Sequence, residues 1–148
     1  MDAYLVVGNA NTRRTSVIRS LSGCFNRSLR DILLRDADKP IRIYARVGAL
    51  QETRTTPEAF IAEVGRLRCE AVLCCLSASA YSTGGDDYPD ARSYVARLKE
   101  QGWRIRAIAV LGQNAGGLKA GNLRQLPQAG TNPINITASE VRALFNWR

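Results

Sequence analysis

Tyr4-Leu5-Val6-Val7-Gly8, then Asn9-Ala10-Asn11-Thr12-Arg13-Arg14-Thr15-Ser16, then Val17-Ile18-Arg19-Ser20-Leu21-Ser22-Gly23, is the stretch that decides the fold. A short apolar run that ends at glycine predicts a buried strand. The polar residues after it predict a loop. Val17, Ile18 and Leu21 recur at helical spacing from a start near Thr15, and Gly23 is suited to the left-handed position that ends a helix. The stretch is therefore a strand, a tight loop and a helix, and the rest of the chain repeats that alternation.

Leu29 to Val47 predicts a β-hairpin, with Asp36-Ala37-Asp38-Lys39 as its turn. Ile41, Ile43, Ala45 and Val47 alternate with Arg42, Tyr44 and Arg46, the period of a strand with one face on a core. A helix continuing through residues 27–34 is the competing expectation. Thr55-Thr56-Pro57-Glu58 opens a helix carrying Phe60, Ile61, Val64 and Leu67. Ala71 to Leu76 is apolar without interruption, as in a strand buried on both faces. Residues 77–87 form a polar loop, and Asp86, Asp87, Pro89 and Asp90 start a helix to about Gln101. Ile105 to Leu111 is another buried strand. Residues 112–132 predict a long loop, 133–136 a short strand, and Thr137 with Glu140 the capping box of a final helix.

The order β-α-β-β-α-β-α-β-loop-β-α predicts an α/β three-layer sandwich. Its sheet is mainly parallel with one antiparallel edge strand, in a single domain over residues 1–148. The 148 residues suffice for one hydrophobic core. A 45% hydrophobic and 23% charged composition argues against disorder. No apolar run is long enough to span a membrane and no signal-peptide pattern opens the chain, so a cytoplasmic protein with no membrane partner is expected.

The chain contains no histidine, which excludes Ser-His-Asp and Cys-His catalysis and histidine metal sites. Cys24, Cys69, Cys74 and Cys75 form no C-x-x-C pair, and reduced, structural cysteines are expected. Net charge is +8, and 18 of the 21 basic residues are arginine. That balance suits an anionic partner and equally suits arginines that are merely solvated or paired.

A phosphate-binding loop needs a small residue leaving the strand, amides that curl round the anion, a basic side chain and a hydroxyl. Here Gly8 leaves the strand, four residues follow, and then Arg13-Arg14-Thr15, giving G-x-x-x-x-R-R-T. On these residues the chain resembles the P-loop GTPases of the translation-factor-like branch. Gly8, Asn9, Asn11, Thr15, Leu21 and Gly23 stand at matching positions, and the layout of elements matches along nearly the whole chain. The resemblance implies a P-loop NTPase-like fold with Gly8, Asn9, Asn11, Arg13, Arg14, Thr15 and Ser16 on a nucleotide phosphate. It also implies Thr137-Ala138 on the base side.

The departures from that family point away from turnover. Arg13 replaces a glycine, Arg14 replaces the lysine, and Ala45 stands where D-x-x-G has its aspartate. Gly112-Gln113-Asn114-Ala115 lacks the guanine-reading N-K-x-D element. Losing several parts together removes phosphoryl transfer. The expectation is a pseudo-GTPase, a binding or regulatory module with no catalytic residues. Its ligand would be a guanine nucleotide or phosphate, without Mg²⁺.

Two alternatives stay open. A basic nucleic-acid-binding domain would use Arg42, Tyr44 and Arg46 on one strand face, unless a helix covers that face and acids pair the arginines. A protein-interaction module would use the 112–132 loop. The Asp86, Asp87, Asp90 trio is read as helix capping rather than as a metal cluster.

Overall fold

A computed structural model describes residues 1–148. Strands β1 (Asp2–Val7), β2 (Arg27–Ile32), β3 (Ile41–Ala49), β4 (Ala71–Leu76), β7 (Arg104–Leu111) and β8 (Leu123–Leu126) form one sheet in the order β2-β3-β4-β1-β7-β8. Only β2 is antiparallel, paired to β3 at the edge, while β3–β4, β4–β1, β1–β7 and β7–β8 are all parallel. Strands β5 (Tyr81–Thr83) and β6 (Asp86–Tyr88) make a separate small hairpin. The helices are α1 (Arg14–Ser22), α2 (Pro57–Gly65), α3 (Ala91–Glu100) and α4 (Ile134–Phe145). The α/β class and the mainly parallel sheet with an antiparallel edge agree with the sequence pattern.

Period-2 alternation along β1 sends its side chains into two separate cores. Tyr4 and Val6 join Val17, Ile18 and Leu21 of α1 and Ala138, Val141 and Phe145 of α4. Ala3, Leu5 and Val7 join Phe60 and Val64 of α2 and Tyr94, Val95 and Leu98 of α3. Each large aliphatic or aromatic side chain so buried contributes about 1.5–3 kcal/mol relative to exposure. Near the C-terminus, Trp147 and Phe145 close on Tyr4 with ring centroids 5.1 Å apart in both pairs.

Local punctuation agrees at several points. Gly23 caps α1 at φ 67°. Thr56 caps α2, its hydroxyl accepting from the Ala59 amide, and Asp90 caps α3 in the same way for Ser93. Elsewhere the structure corrects the sequence reading. Asp86 and Asp87 lie on β6, so Asp90 alone of the three acids caps α3. Residues 112–132 are not one loop, because Leu123–Leu126 adds strand β8 to the sheet edge. Residues 134–136 are the first turn of α4, not a strand. Pro133 precedes that helix without a side-chain cap, so Thr137 is not a cap either.

The four cysteines are free. Burial pushes the Cys74 and Cys75 thiols far up, Cys75 to about 12. No helix is long and apolar enough to cross a membrane.

Candidate functional site

The connections leaving the carboxyl ends of the strands diverge at β1. From β1 the chain turns to α1 on one face of the sheet, while from the neighbouring β4 it reaches α3 on the other. On the far side of β1, the segment after β7 places Ala115 and Leu118 against the α2/α3 core. In open α/β sheets ligands occupy the crevice at such a point. The Gly8–Arg13 loop stands there.

The loop is tightly built. Gly8 is buried, and a Cβ on it would meet Thr12 Oγ1 at 2.5 Å and the Leu111 carbonyl at 3.1 Å. Thr12 closes the turn on itself, its hydroxyl donating to the Asn9 carbonyl at 2.7 Å. Asn11 and Arg13 are in the left-handed region at φ 74° and 63°, where non-glycine residues are uncommon. Asn9 Oδ1 accepts from the Ser79 amide at 3.2 Å and lies 3.4 Å from the Ser77 hydroxyl, tying the loop to the end of β4. Arg13 is exposed and donates to the Asn132 carbonyl at 3.0 Å. Thr15 is half-buried and Ser16 exposed. The inner space of the loop is thus filled by Thr12, leaving its outer side, with Arg13, as the accessible one.

Arg14 takes another course. It is buried at 6% exposure, donating to the Gly8 carbonyl at 2.9 Å and to Glu52 Oε2 at 2.5 Å, with Nε unpartnered. Burial works most strongly against its charge, but Glu52 and the neighbouring Cys75 together favour it, and the guanidinium pKa rises on balance. The sequence expectation that Arg14 meets a phosphate is not what this geometry offers, since its terminal nitrogens already hold two protein oxygens.

The proposed base-side residues are also elsewhere. Thr137 and Ala138 are 1% and 0% exposed inside α4, on its core face, because the helix begins ahead of them. Ala138 lies in the core, whereas Thr137, whose hydroxyl has no hydrogen-bond partner, borders a small cavity with Arg124, Asn132 and Glu140.

The Arg42, Tyr44, Arg46 face is likewise corrected. Tyr44 is 5% exposed in the α2/α3 core, so its ring offers no face for stacking, and burial pushes its phenol up. Arg42 lies exposed against Asp31 at 3.3 Å. Arg46, 5% exposed, donates to Glu63 Oε1 at 2.7 Å and to the hydroxyls of Thr53 and Thr55 at 2.8 and 3.0 Å. The helix-covered, acid-paired alternative describes this face. Compared with family models, characterised proteins and solved structures, the chain gives no match.

Sequence reasoning missed the cleft that Arg46 underlies. Arg27, Arg46, Arg54 and Arg66 surround a cavity of about 500 Å³ between β3 and α2, with Glu63 among them. Ala59, Glu63 and Arg66 fall at i, i+4 and i+7, one helix face. That spacing was visible in the sequence, but nothing local showed that the face would meet β3.

Proposed function

We propose that the chain is a non-catalytic binding module built round a P-loop-like strand, loop and helix. Its ligand is a phosphate-bearing anion, with a guanine nucleotide the first candidate, lying on the outer side of the Gly8–Arg13 loop. The observation that carries this is the position of that loop. A glycine with no room for a side chain and two left-handed residues turn the chain at the point where the strand connections diverge. In this reading Arg13, not Arg14, is the cationic contact, and Arg14 holds the loop from beneath.

The commitment of Arg14 and Glu52 to each other supports a role without turnover. A phosphoryl-transfer site needs a free cation on the leaving phosphates and a carboxylate free for metal. Arg14 and Glu52 neutralise each other instead, so the proposal includes no Mg²⁺.

The test is a thermal-shift series with GDP, GTP, ADP, ATP and inorganic phosphate, each with and without Mg²⁺, on the wild type and on Arg13→Gln. A ligand at about 100 times its Kd adds roughly 2.7 kcal/mol, a visible shift. A Mg²⁺-independent shift that Arg13→Gln removes is the expected result. No shift with any ligand, or a shift indifferent to Arg13, overturns the proposal.

A further inference from the structure

The cleft between β3 and α2 holds four guanidinium groups around one carboxylate. Glu63 is shared by two of them, Arg27 at 2.9 Å through Oε2 and Arg46 at 2.7 Å through Oε1. Arg54 and Arg66, both exposed, have no carboxylate partner, so the cleft carries a net charge of +3 from four arginines less one glutamate. Arg46 is fixed at the base by Glu63 and two threonine hydroxyls, with its side chain 7% exposed. Arg27, at 61% side-chain exposure, stands at the rim. Like charges gathered at a surface repel one another, and an oxyanion placed among them removes that repulsion.

The lining restricts what the anion is. Ala59 is the one apolar side chain, and no aromatic residue faces the cavity. There is no platform for a base or another flat ring, so recognition falls on oxyanions alone. Guanidinium forks match phosphate oxygens in pairs. Four guanidinium groups around a cavity of about 500 Å³ carry more N–H donors than one phosphate can accept, and neighbouring phosphates offer acceptors for the rest.

We propose that this cleft binds a ligand carrying adjacent phosphate groups, with Arg54, Arg66 and Arg27 as the exposed contacts and Arg46 as the buried anchor. The chemistry is that of a polyphosphate chain or of a single-stranded nucleic-acid backbone, held without reading of bases. The site is distinct from the Gly8–Arg13 loop and does not depend on it. The loop between β3 and α2 serves both places, since Glu52 holds Arg14 and the adjacent Thr53 holds Arg46.

The experiment measures binding of inorganic tripolyphosphate by calorimetry, and of a fluorescent single-stranded oligouridylate by anisotropy, at several salt concentrations. The wild type is compared with Arg54→Gln/Arg66→Gln and with Arg106→Gln/Arg124→Gln. The second pair is exposed, lies outside the cleft, and removes the same two charges. Arg13→Gln separates this site from the first loop, and unfolding curves confirm that every variant is folded.

The expected result is a loss of tenfold or more for the Arg54/Arg66 pair only. For the oligouridylate, its salt slope should also fall by about 1.4, the single-strand value for two phosphate contacts. Tight binding of both probes assigns the site to polyphosphate chemistry in general. Binding of the oligouridylate alone assigns it to a nucleic-acid backbone. Equal losses for the two double variants would reduce the effect to overall charge and overturn the proposal, as would no binding of either probe at low salt. Loss on Arg13→Gln alone would place the anion at the first loop and also overturn it.

Discussion

Arg14, at the first position of α1, donates to Glu52 across 38 residues of sequence, and the same guanidinium grips the Gly8 carbonyl. The contact joins the loop after β1 to the loop after β3, although β4 lies between those strands in the sheet. Removing the carboxylate leaves a buried guanidinium with one partner fewer. Glu52→Ala should therefore lower stability by about 2 kcal/mol in urea unfolding. The exposed Arg104–Asp2 pair sets the contrast, because Asp2→Asn should change stability by less than about 1 kcal/mol. Equal effects would show that the Arg14–Glu52 contact is solvent-weakened.

Gly8 and Thr12 compete for one space. Gly8→Ala places a methyl group 2.5 Å from Thr12 Oγ1 and should cost about 1–3 kcal/mol by overpacking. In Gly8→Ala/Thr12→Ala that oxygen is gone, and the pair should lose less than the sum of the single changes. Additive losses in a double-mutant cycle would mean that the Leu111 carbonyl, 3.1 Å away, sets the limit instead.

Glu58 gives a signed pH dependence. Its own amide in the first turn of α2, and then Arg97, hold its carboxyl below the ordinary 4.5. A carboxyl whose pKa is depressed by folding stabilises the fold above its unfolded value and loses that contribution as pH falls through the folded one. Melting temperature should therefore drop on acidification below about pH 4.5, and Glu58→Gln should make the drop shallower. An identical acid profile for the variant would remove Glu58 from the account.

Thiol labelling should proceed in two stages. Cys69 is half-buried, whereas Cys24, Cys74 and Cys75 are buried. Burial raises the Cys69 thiol as well, so even its reaction with a disulfide reagent is slow near neutral pH. One thiol should react in the folded protein and three more on unfolding. Rapid reaction of three or more in the native state would mean that the β4 core, with Cys74 and Cys75, opens readily.

Much of this architecture was legible because it is written in near-neighbour patterns. The uninterrupted apolar run Ala71–Leu76 made β4 a two-faced buried strand, and alternation through Ile41–Val47 made β3. Gly23, Thr56 and Asp90 punctuate helices where their chemistry requires. The misplacements came where that signal was weak. Leu123-Arg124-Gln125-Leu126 has too few apolar residues to declare a strand, and β7 recruits it by parallel pairing. Thr137-Ala138-Ser139-Glu140 has the form of a capping box, but Pro133 starts the helix one turn earlier.

The sequence by itself determined the succession of strands and helices, the antiparallel edge and the glycine-led turn out of β1. Each of these depends on periodicity or on backbone freedom within a few residues. Tertiary structure alone decided where the charges went. It inserted β4 between β3 and β1, turned Arg14 onto Glu52, sank Tyr44 and Arg46 beneath α2, and gathered four arginines round Glu63. A guanidinium at the end of a long side chain finds whatever acid the packed elements bring within reach, and local spacing carries no record of that acid.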